Sequence, residues 1–275
     1  TLFGAPNTTN TSQTASFFTA ASFLKYGRTL KISRAINGAI NATSSSISLS
    51  DISPQLNGVI NEQADIDRLN EDLLANDSNI VAKFAGALGN SLKVWFITEE
   101  NWDQIPLGIR SQVGFKPTST IWAENLSGGS GASTLGDEVH ILVEDANGKF
   151  SGEAGSIIEV YQGLSLASNG KDEYGESNYW RSRLNGSSSY VWSVQPEVDP
   201  FFDSSEQVPF DYSLSNSLPW LESTDDTPSA LAFVNLQGGA DDNPSNYLAS
   251  PVIDALEVFN DIETIDVNLL FAQNF

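Results

Sequence analysis

The chain has 275 residues and a formal net charge of -22, because 35 acidic side chains outnumber 13 basic ones. A phosphate backbone is bound by clustered cations, so this composition argues against nucleic acid as a partner. Apolar residues make up 40% of the chain, which predicts a folded core rather than an acidic disordered tail. Cysteine is absent, which excludes disulfides, thiolate metal sites and cysteine nucleophiles. No apolar run reaches about 18 residues, so we expect no membrane insertion.

The first predicted elements are a helix and a strand. Ser12 or Thr14 can cap a helix over residues 15–26, and Gly27 would end it. Apolar residues alternate with polar ones over residues 30–36, which favours a strand after a short loop.

A polar segment follows these elements. Residues 44–53 are rich in Ser and Ile, and residues 61–76 have the pattern of an acidic helix with a narrow apolar stripe. We interpret residues 45–82 as a polar helical surface insertion.

The clearest local pattern lies in residues 136–165, GDEVHILVEDANGKFSGEAGSIIEVYQGLS. Val139, Ile141 and Val143 alternate with polar side chains, which predicts a strand with one buried face, and Leu142 interrupts the polar side. An Asn-Gly turn sequence and a second apolar run at residues 157–164 follow. We therefore expect two strands joined by a glycine-rich connection.

The C-terminal region repeats the order seen at the start of the chain. A capped helix over residues 251–262 leads to VNLLF at residues 267–271, which is typical of a strand buried on both faces. This strand pattern lies four residues from the last residue, and no initiator Met opens the chain. We expect the chain to be an internal fragment of a longer polypeptide.

These elements predict an α+β, multi-lobed protein with discontinuous domains. Neither end has enough apolar surface to fold alone, so residues 1–44 and 229–275 are expected to form one α/β core lobe. Residues 83–228 would form a strand-rich inserted domain. We expect mixed sheets with flanking helices.

Residues 136–165 resemble the sheath protein of contractile bacteriophage tails, in which an acidic strand leads through a Gly-containing loop to an E-x-Y/F-x-x-L-S strand ending. That ending corresponds here to Glu159, Tyr161, Leu164 and Ser165. The other segments that resemble sheath proteins occur in the family's order: Leu2–Pro6 (LFGAP), Phe17–Gly27, Ala85–Val94 (AGALGNSLKV), Lys171–Trp180 (KDEYGESNYW) and Ser188–Trp192 (SSYVW).

The resemblance implies a mechanical function. Sheath subunits polymerise helically as stacked hexameric rings around an inner tail tube, and they contract to drive the tube through the host cell envelope. The implied partners are other copies of the chain, the tail tube protein, and baseplate and tail terminator proteins. The implied location is the virion, after assembly in the host cytoplasm. The resemblance implies no enzyme activity and no cofactor, and we expect no catalytic, cofactor-binding or metal-binding residues.

Catalytic candidates are few. His140 is the sole histidine, and we interpret it as a structural or surface residue because no partner for a triad is evident. The sequence has no nucleophile elbow, no H-E-x-x-H, no P-loop and no G-x-G-x-x-G before a helix. A hydrolase that works with paired carboxylates could use Asp172 and Glu173. These residues are adjacent, however, so on a strand they would point to opposite faces.

Two acidic clusters could suggest a calcium site. The first comprises Asp145, Asn147, Ser151 and Glu153, and its spacing departs from that of an EF-hand. The second comprises Asp241, Asp242 and Asn243 before a Pro-Ser pair. We interpret both as turns.

An alternative function class is an acidic, β-rich carbohydrate-binding or adhesive surface protein. It rests on Asn-x-Ser/Thr sequons, such as those at Asn7 and Asn185, and on an aromatic cluster that could form a sugar-stacking platform. The cluster comprises Tyr179, Trp180, Tyr190, Trp192, Phe201 and Phe202.

Overall fold

The computed structural model describes residues 11–27, 29–32, 38–44, 60, 65–66, 79–99, 101–122, 137–166, 170–194, 233–242, 253, 256–257 and 259. Contacts divide the chain into two units, one of Thr1–Ala39 with Asp241–Phe275 and one of Ile40–Ala240. The domain bounds expected from the sequence, 1–44 with 229–275, 45–82 and 83–228, stay a prediction.

The first unit contains helix α1, Thr11–Leu24, which is followed by a turn. The helix starts four residues before the predicted position. Residues 29–32 are not in a strand, and the rest of the strand predicted over 30–36 lies outside the described residues. Residues 253, 256 and 257 are helical, within the predicted C-terminal helix, whereas the strand predicted at 267–271 lies outside the described part of the chain.

The described part of the second unit contains the strands β1 (Asn41–Thr43), β2 (Asn79–Ala85), β3 (Leu92–Ile97), β4 (Glu138–Asp145), β5 (Ser156–Ser165), β6 (Val191–Val194) and β7 (Phe233–Asn235). These strands form one sheet with the order β1–β2–β6 and another with the order β5–β4–β3–β7. The same part includes the helices α2 (Leu107–Val113) and α3 (Trp180–Ser187).

The α+β class is confirmed, since the described chain combines helices with antiparallel sheets. Every pairing between the described strands is antiparallel, and one isolated bridge, between Ser165 and Tyr179, is parallel. The connection between β4 and β5, residues 146–155, reverses the chain directly, and such a hairpin produces antiparallel neighbours.

The predicted pair of strands in residues 136–165 is present as β4 and β5, with Ile141 opposite Tyr161. The expectation of one buried face was wrong, because β4 is buried on both faces. Polar side chains of the strand form hydrogen bonds within the protein. Glu144, for example, accepts hydrogen bonds from Trp95 Nε1 at 2.5 Å and from Lys93 Nζ at 3.1 Å.

The main core lies where the two sheets and α3 meet. Ile80 comes from the three-stranded sheet, Phe96 and Ile141 come from the four-stranded sheet, and Trp180 and Leu184 come from α3. The Trp180 ring packs edge-on against Phe96 with centroids 5.6 Å apart. Burying one large side chain of this kind stabilises the fold by roughly 2–3 kcal/mol.

A second cluster covers the opposite face of the four-stranded sheet. Trp95, Ile97 and Leu142 on this face pack with Ile105 and Val113. Ile105 follows the short helical segment 102–104, and Val113 is the last residue of α2. This cover explains why β4 is buried on both sides.

The outer face of the three-stranded sheet packs against Ile60 and Ile66. Buried Asn41 holds this region to the sheet, because its Nδ2 donates to the carbonyls of Ile60 and Ala82 and its Oδ1 accepts the Ile60 N–H. An unpaired buried amide would cost about 1–3 kcal/mol, so these bonds stabilise the layer.

Candidate functional site

Glu159 on β5 links the two sheets. Its carboxylate accepts a hydrogen bond from the Ser188 hydroxyl at 2.7 Å and another from the Ser189 N–H at 2.7 Å. Ser188 ends α3 and leads directly into β6 of the three-stranded sheet. We call these three residues, together with Lys83 of β2, the Glu159 junction.

Lys83 completes the Glu159 junction from the other sheet. Its ammonium donates to the Ser188 carbonyl and lies 3.7 Å from the centre of the Trp192 ring. Burial lowers the pKa of Lys83, and the nearby Glu159 carboxylate partly opposes this shift. Burial also raises the pKa of Tyr161, and the charge of Glu159 adds to that effect. Lys83, Glu159 and Tyr161 therefore lie together in one partly buried group of polar side chains.

The Ser188 hydroxyl also organises its own loop. Its oxygen accepts the N–H groups of Tyr190 at 3.1 Å and Val191 at 3.0 Å while its proton is donated to Glu159. A serine hydroxyl has one proton and two lone pairs, so this side chain uses its full bonding capacity.

Asp145 organises the turn between β4 and β5. Its carboxylate accepts the backbone N–H groups of Lys149, Phe150 and Ser151 at 2.7–2.9 Å. It also accepts the hydroxyls of Ser151 at 2.8 Å and Ser91 at 2.5 Å. Burial acts to raise the pKa of Asp145, but the hydrogen bonds from Ser151 and Ser91 prevail and lower it. The structure thus places this acidic cluster in a turn whose donors come from the protein itself.

No group of three or more acidic or histidine side chains with the arrangement of a metal site occurs among the residues that the structure describes. Asp241 and Asp242 follow the last bridge of the second unit, and Asn243 lies outside the described residues. Asp172 accepts the N–H groups of Tyr174 and Glu176 at 3.0 Å, so it caps a turn, while Glu173 is exposed.

The segment between β2 and β3 fastens two distant parts of the chain. Ser91 bonds Asp145, and neighbouring Asn90 pairs with Gly239 through Nδ2 to the carbonyl and Oδ1 to the N–H, both at 2.8 Å. A Cβ on Gly239 would lie 2.5 Å from the Gly86 carbonyl oxygen, so only glycine fits this approach. These roles could not be predicted from the sequence, because a pairing across 149 residues leaves no local periodic signal.

His140 is a buried residue of β4 with both ring nitrogens engaged. Its Nδ1 accepts the Gly163 N–H at 3.0 Å, and its Nε2 lies 3.2 Å from the Phe115 carbonyl. Nε2 must therefore carry the proton of a neutral imidazole. Burial lowers the pKa of His140, while hydrogen bonds to the backbone at Phe115 and Val139 act in the opposite direction. The histidine joins the loop after α2 to the β4–β5 pair.

Asp137 is a buried carboxylate that was not among the residues predicted from the sequence to be functional. It accepts the Thr120 N–H at 2.8 Å, the Thr120 hydroxyl at 2.7 Å and the Ser165 hydroxyl at 2.7 Å. These bonds fasten the end of β5 to the segment before β4. In the sequence, Asp137 lies just before a predicted strand and next to Gly136. That position does not identify its hydrogen-bond partners.

The aromatic cluster does not form the suggested sugar platform in the described residues. Trp180 is fully buried, and Tyr179, Tyr190 and Trp192 are partly buried and pack against the core clusters. Phe201 and Phe202 lie outside the described part. A ring enclosed by protein cannot stack on a ligand.

Asn185, one of the sequon asparagines that the structure describes, is also engaged. The side chain of Asn185 donates to the Ser193 carbonyl at 3.0 Å and accepts the Ser193 N–H at 2.7 Å, which fastens α3 to β6. Asn7 lies outside the described residues.

In the described part of the chain, no helix is both long and apolar enough to cross a membrane. No model of a known protein family matches the chain, and a comparison with curated proteins gives no significant match.

Proposed function

We propose that the chain is a structural subunit of a contractile tail sheath. The observation that carries this proposal is that segments resembling sheath proteins in sequence contact one another in space. The four segments concerned are residues 85–94, 136–165, 171–180 and 188–192.

Specific hydrogen bonds join these segments. Ser91 of the first segment bonds Asp145 of the second at 2.5 Å. The Ser165 N–H of the second segment donates to the Asn178 carbonyl of the third at 2.9 Å. Glu159 of the second segment also accepts the Ser188 hydroxyl of the fourth. The segments that resemble sheath proteins are therefore bonded to one another in one arrangement. This supports a fold shared with sheath proteins rather than a chance similarity in sequence.

The use of the polar side chains also favours a load-bearing role. His140, Asp145, Asp137 and Glu159 direct their polar atoms at backbone groups or hydroxyls of neighbouring segments. Such bonds stiffen a subunit, because breaking one leaves a buried polar group unpaired at a cost of about 1–3 kcal/mol. A sugar-stacking platform built on Tyr179, Trp180, Tyr190 and Trp192 would instead need exposed rings, and Trp180 is buried while the other three are partly buried.

In this proposal the subunits form stacked hexameric rings around the tail tube and adopt a metastable extended lattice. A baseplate trigger lets rigid subunits reorient into a lattice of lower free energy, and a kinetic barrier holds the extended state until then. The partners are other copies of the chain, the tube, the baseplate and the tail terminator, and the location is the virion.

Sedimentation over a series of salt concentrations tests this proposal, using protein expressed from the complete coding sequence. The net charge of -22 makes subunits repel over about 8–10 Å at ordinary ionic strength, so added salt should promote large assemblies. An iso-osmotic sucrose series controls for effects of solute other than screening. Assembly that weakens steadily with salt, or particles that stay small at every salt concentration, would count against a sheath.

A further inference from the structure

The chain contains five Asn-Gly pairs, and the structure describes both residues of two of them. Asn147-Gly148 lies in the turn between β4 and β5, whereas Asn185-Gly186 lies within α3. The two pairs have the same local chemistry in very different surroundings, which makes each a natural control for the other.

We propose that Asn147 is a site of spontaneous modification by deamidation and that Asn185 is protected from it. In this reaction the backbone nitrogen of the following residue attacks the side-chain carbonyl carbon of Asn. A carbon–nitrogen bond forms, ammonia leaves with the proton from the backbone nitrogen, and a cyclic succinimide results. Water then opens the ring to aspartate or isoaspartate, so no oxidant or cofactor is needed. Glycine favours the attack because it has no side chain to obstruct the approach.

The surroundings of Asn147 leave this attack open. The residue is exposed, and its Nδ2 donates to the Asn90 carbonyl over 3.4 Å, a distance longer than that of an ordinary hydrogen bond. The Gly148 N–H donates to the Asp145 carbonyl over 3.3 Å, which is also long. The hydrogen bonds of the attacked amide and of the attacking nitrogen are therefore both weak. Little free energy is needed to break them so that the two groups can react.

The surroundings of Asn185 oppose the same attack. Its amide is bonded at both ends to the Ser193 backbone, at 3.0 Å and 2.7 Å. Residue 186 is inside α3, so its nitrogen can reach the side chain only after the helix opens locally. Deamidation there would require α3 to separate from β6.

Modification of Asn147 would act on the Asp145 turn. It adds one negative charge, which changes the formal net charge from -22 to -23, and it places the new carboxylate two residues from Asp145. The isoaspartate product also lengthens the backbone by one carbon immediately before Gly148, whose φ is +70°. We expect weaker protection of the amides of Lys149, Phe150 and Ser151, which donate to Asp145.

Peptide mapping by mass spectrometry tests this inference, which does not depend on the proposed function. The native chain is incubated at mildly alkaline pH, and a second sample is incubated in urea. In urea both pairs should convert at similar rates. In the native protein, Asn147 should convert while Asn185 converts at least about tenfold more slowly, because local opening limits it. Enzymatic methylation of isoaspartate provides a second readout, and it should be absent at position 147 in Asn147→Gln.

Two results would overturn the inference. One is a native Asn147 that stays intact over the period in which the urea sample converts. The other is native conversion of Asn185 at a rate equal to or faster than that of Asn147.

Discussion

The Ser188 hydroxyl donates a hydrogen bond to the Glu159 carboxylate over 2.7 Å, across 29 positions of the sequence. This bond joins the edge strand of the four-stranded sheet to the loop that enters the three-stranded sheet. The two sheets are thereby connected by a polar contact as well as by their shared apolar core.

The first prediction concerns Ser188→Ala. The change removes the donor to Glu159 and the acceptor of the Tyr190 and Val191 N–H groups, so we expect a loss of about 1–3 kcal/mol in the free energy of unfolding. Urea unfolding measures it. The control is Ser182→Ala on the exposed side of α3, which should change stability by less than about 0.5 kcal/mol. Equal effects of the two changes would show that the Glu159 junction adds no stability.

A second prediction concerns Asp145→Asn. The amide would present an N–H group to donors that now meet a carboxylate oxygen. We therefore expect a loss of at least about 2 kcal/mol in the free energy of unfolding and faster hydrogen exchange of the turn amides. Asp103→Asn is the matched control, because its side chain is 91% exposed. Its ion pair with Arg110 should contribute less than about 1 kcal/mol. Unchanged exchange at residues 149–151 in Asp145→Asn would refute the role given to this carboxylate.

The third prediction is a pH dependence that comes from His140. Its pKa lies below the ordinary 6.5 in the folded state, so the unfolded chain binds the proton first as the pH falls. Its stabilising contribution is complete above about pH 6.5 and is lost as the pH falls from that value through the folded pKa. The added slope can reach about 1.4 kcal/mol per pH unit.

Comparison with His140→Gln isolates this contribution. Glutamine can accept the Gly163 N–H and donate to the Phe115 carbonyl without titrating, and the carboxylates, including Glu138 on the same face of β4, are common to both proteins. Urea unfolding between pH 7 and pH 5 should give a smaller decline for the variant. Identical slopes in the two proteins would contradict the assignment.

A fourth prediction separates buried from exposed aromatic residues. Trp180→Ala should reduce the free energy of unfolding by about 3–5 kcal/mol, because the Trp180 side chain is fully buried where α3 meets the two sheets. Tyr174→Ala, at a side chain that is 84% exposed, should have an effect within about 0.5 kcal/mol. Thermal unfolding compares them, and a mild effect of Trp180→Ala would mean that the ring is not part of the core.

The β4–β5 pair could be predicted from the sequence because its signals are local. Val139, Ile141 and Val143 show the period of a strand, and Gly148 has the positive φ that the Asn-Gly turn suggested. The burial of the second face of β4 could not be predicted. It depends on Ile105 and Val113, which belong to short segments with no strong periodic pattern.

The polar contacts were less predictable than the strands for a similar reason. Ser91 and Asn90 are small polar residues of a kind common in loops, and their partners are 54 and 149 positions away. The sequence identified Asp145 and His140 as chemically capable residues. Only the fold shows that their capacity is used to fix neighbouring backbone segments.

Electron microscopy of the protein expressed from its complete coding sequence tests the central claim most directly. A contractile sheath subunit should form hollow, helically ribbed cylinders with sixfold rings. The unit of residues 40–240 should fit each subunit's density with the hydrogen bonds of the Glu159 junction intact. Dispersed particles that bind glycans, with no cylinders under any assembly condition, would contradict the account.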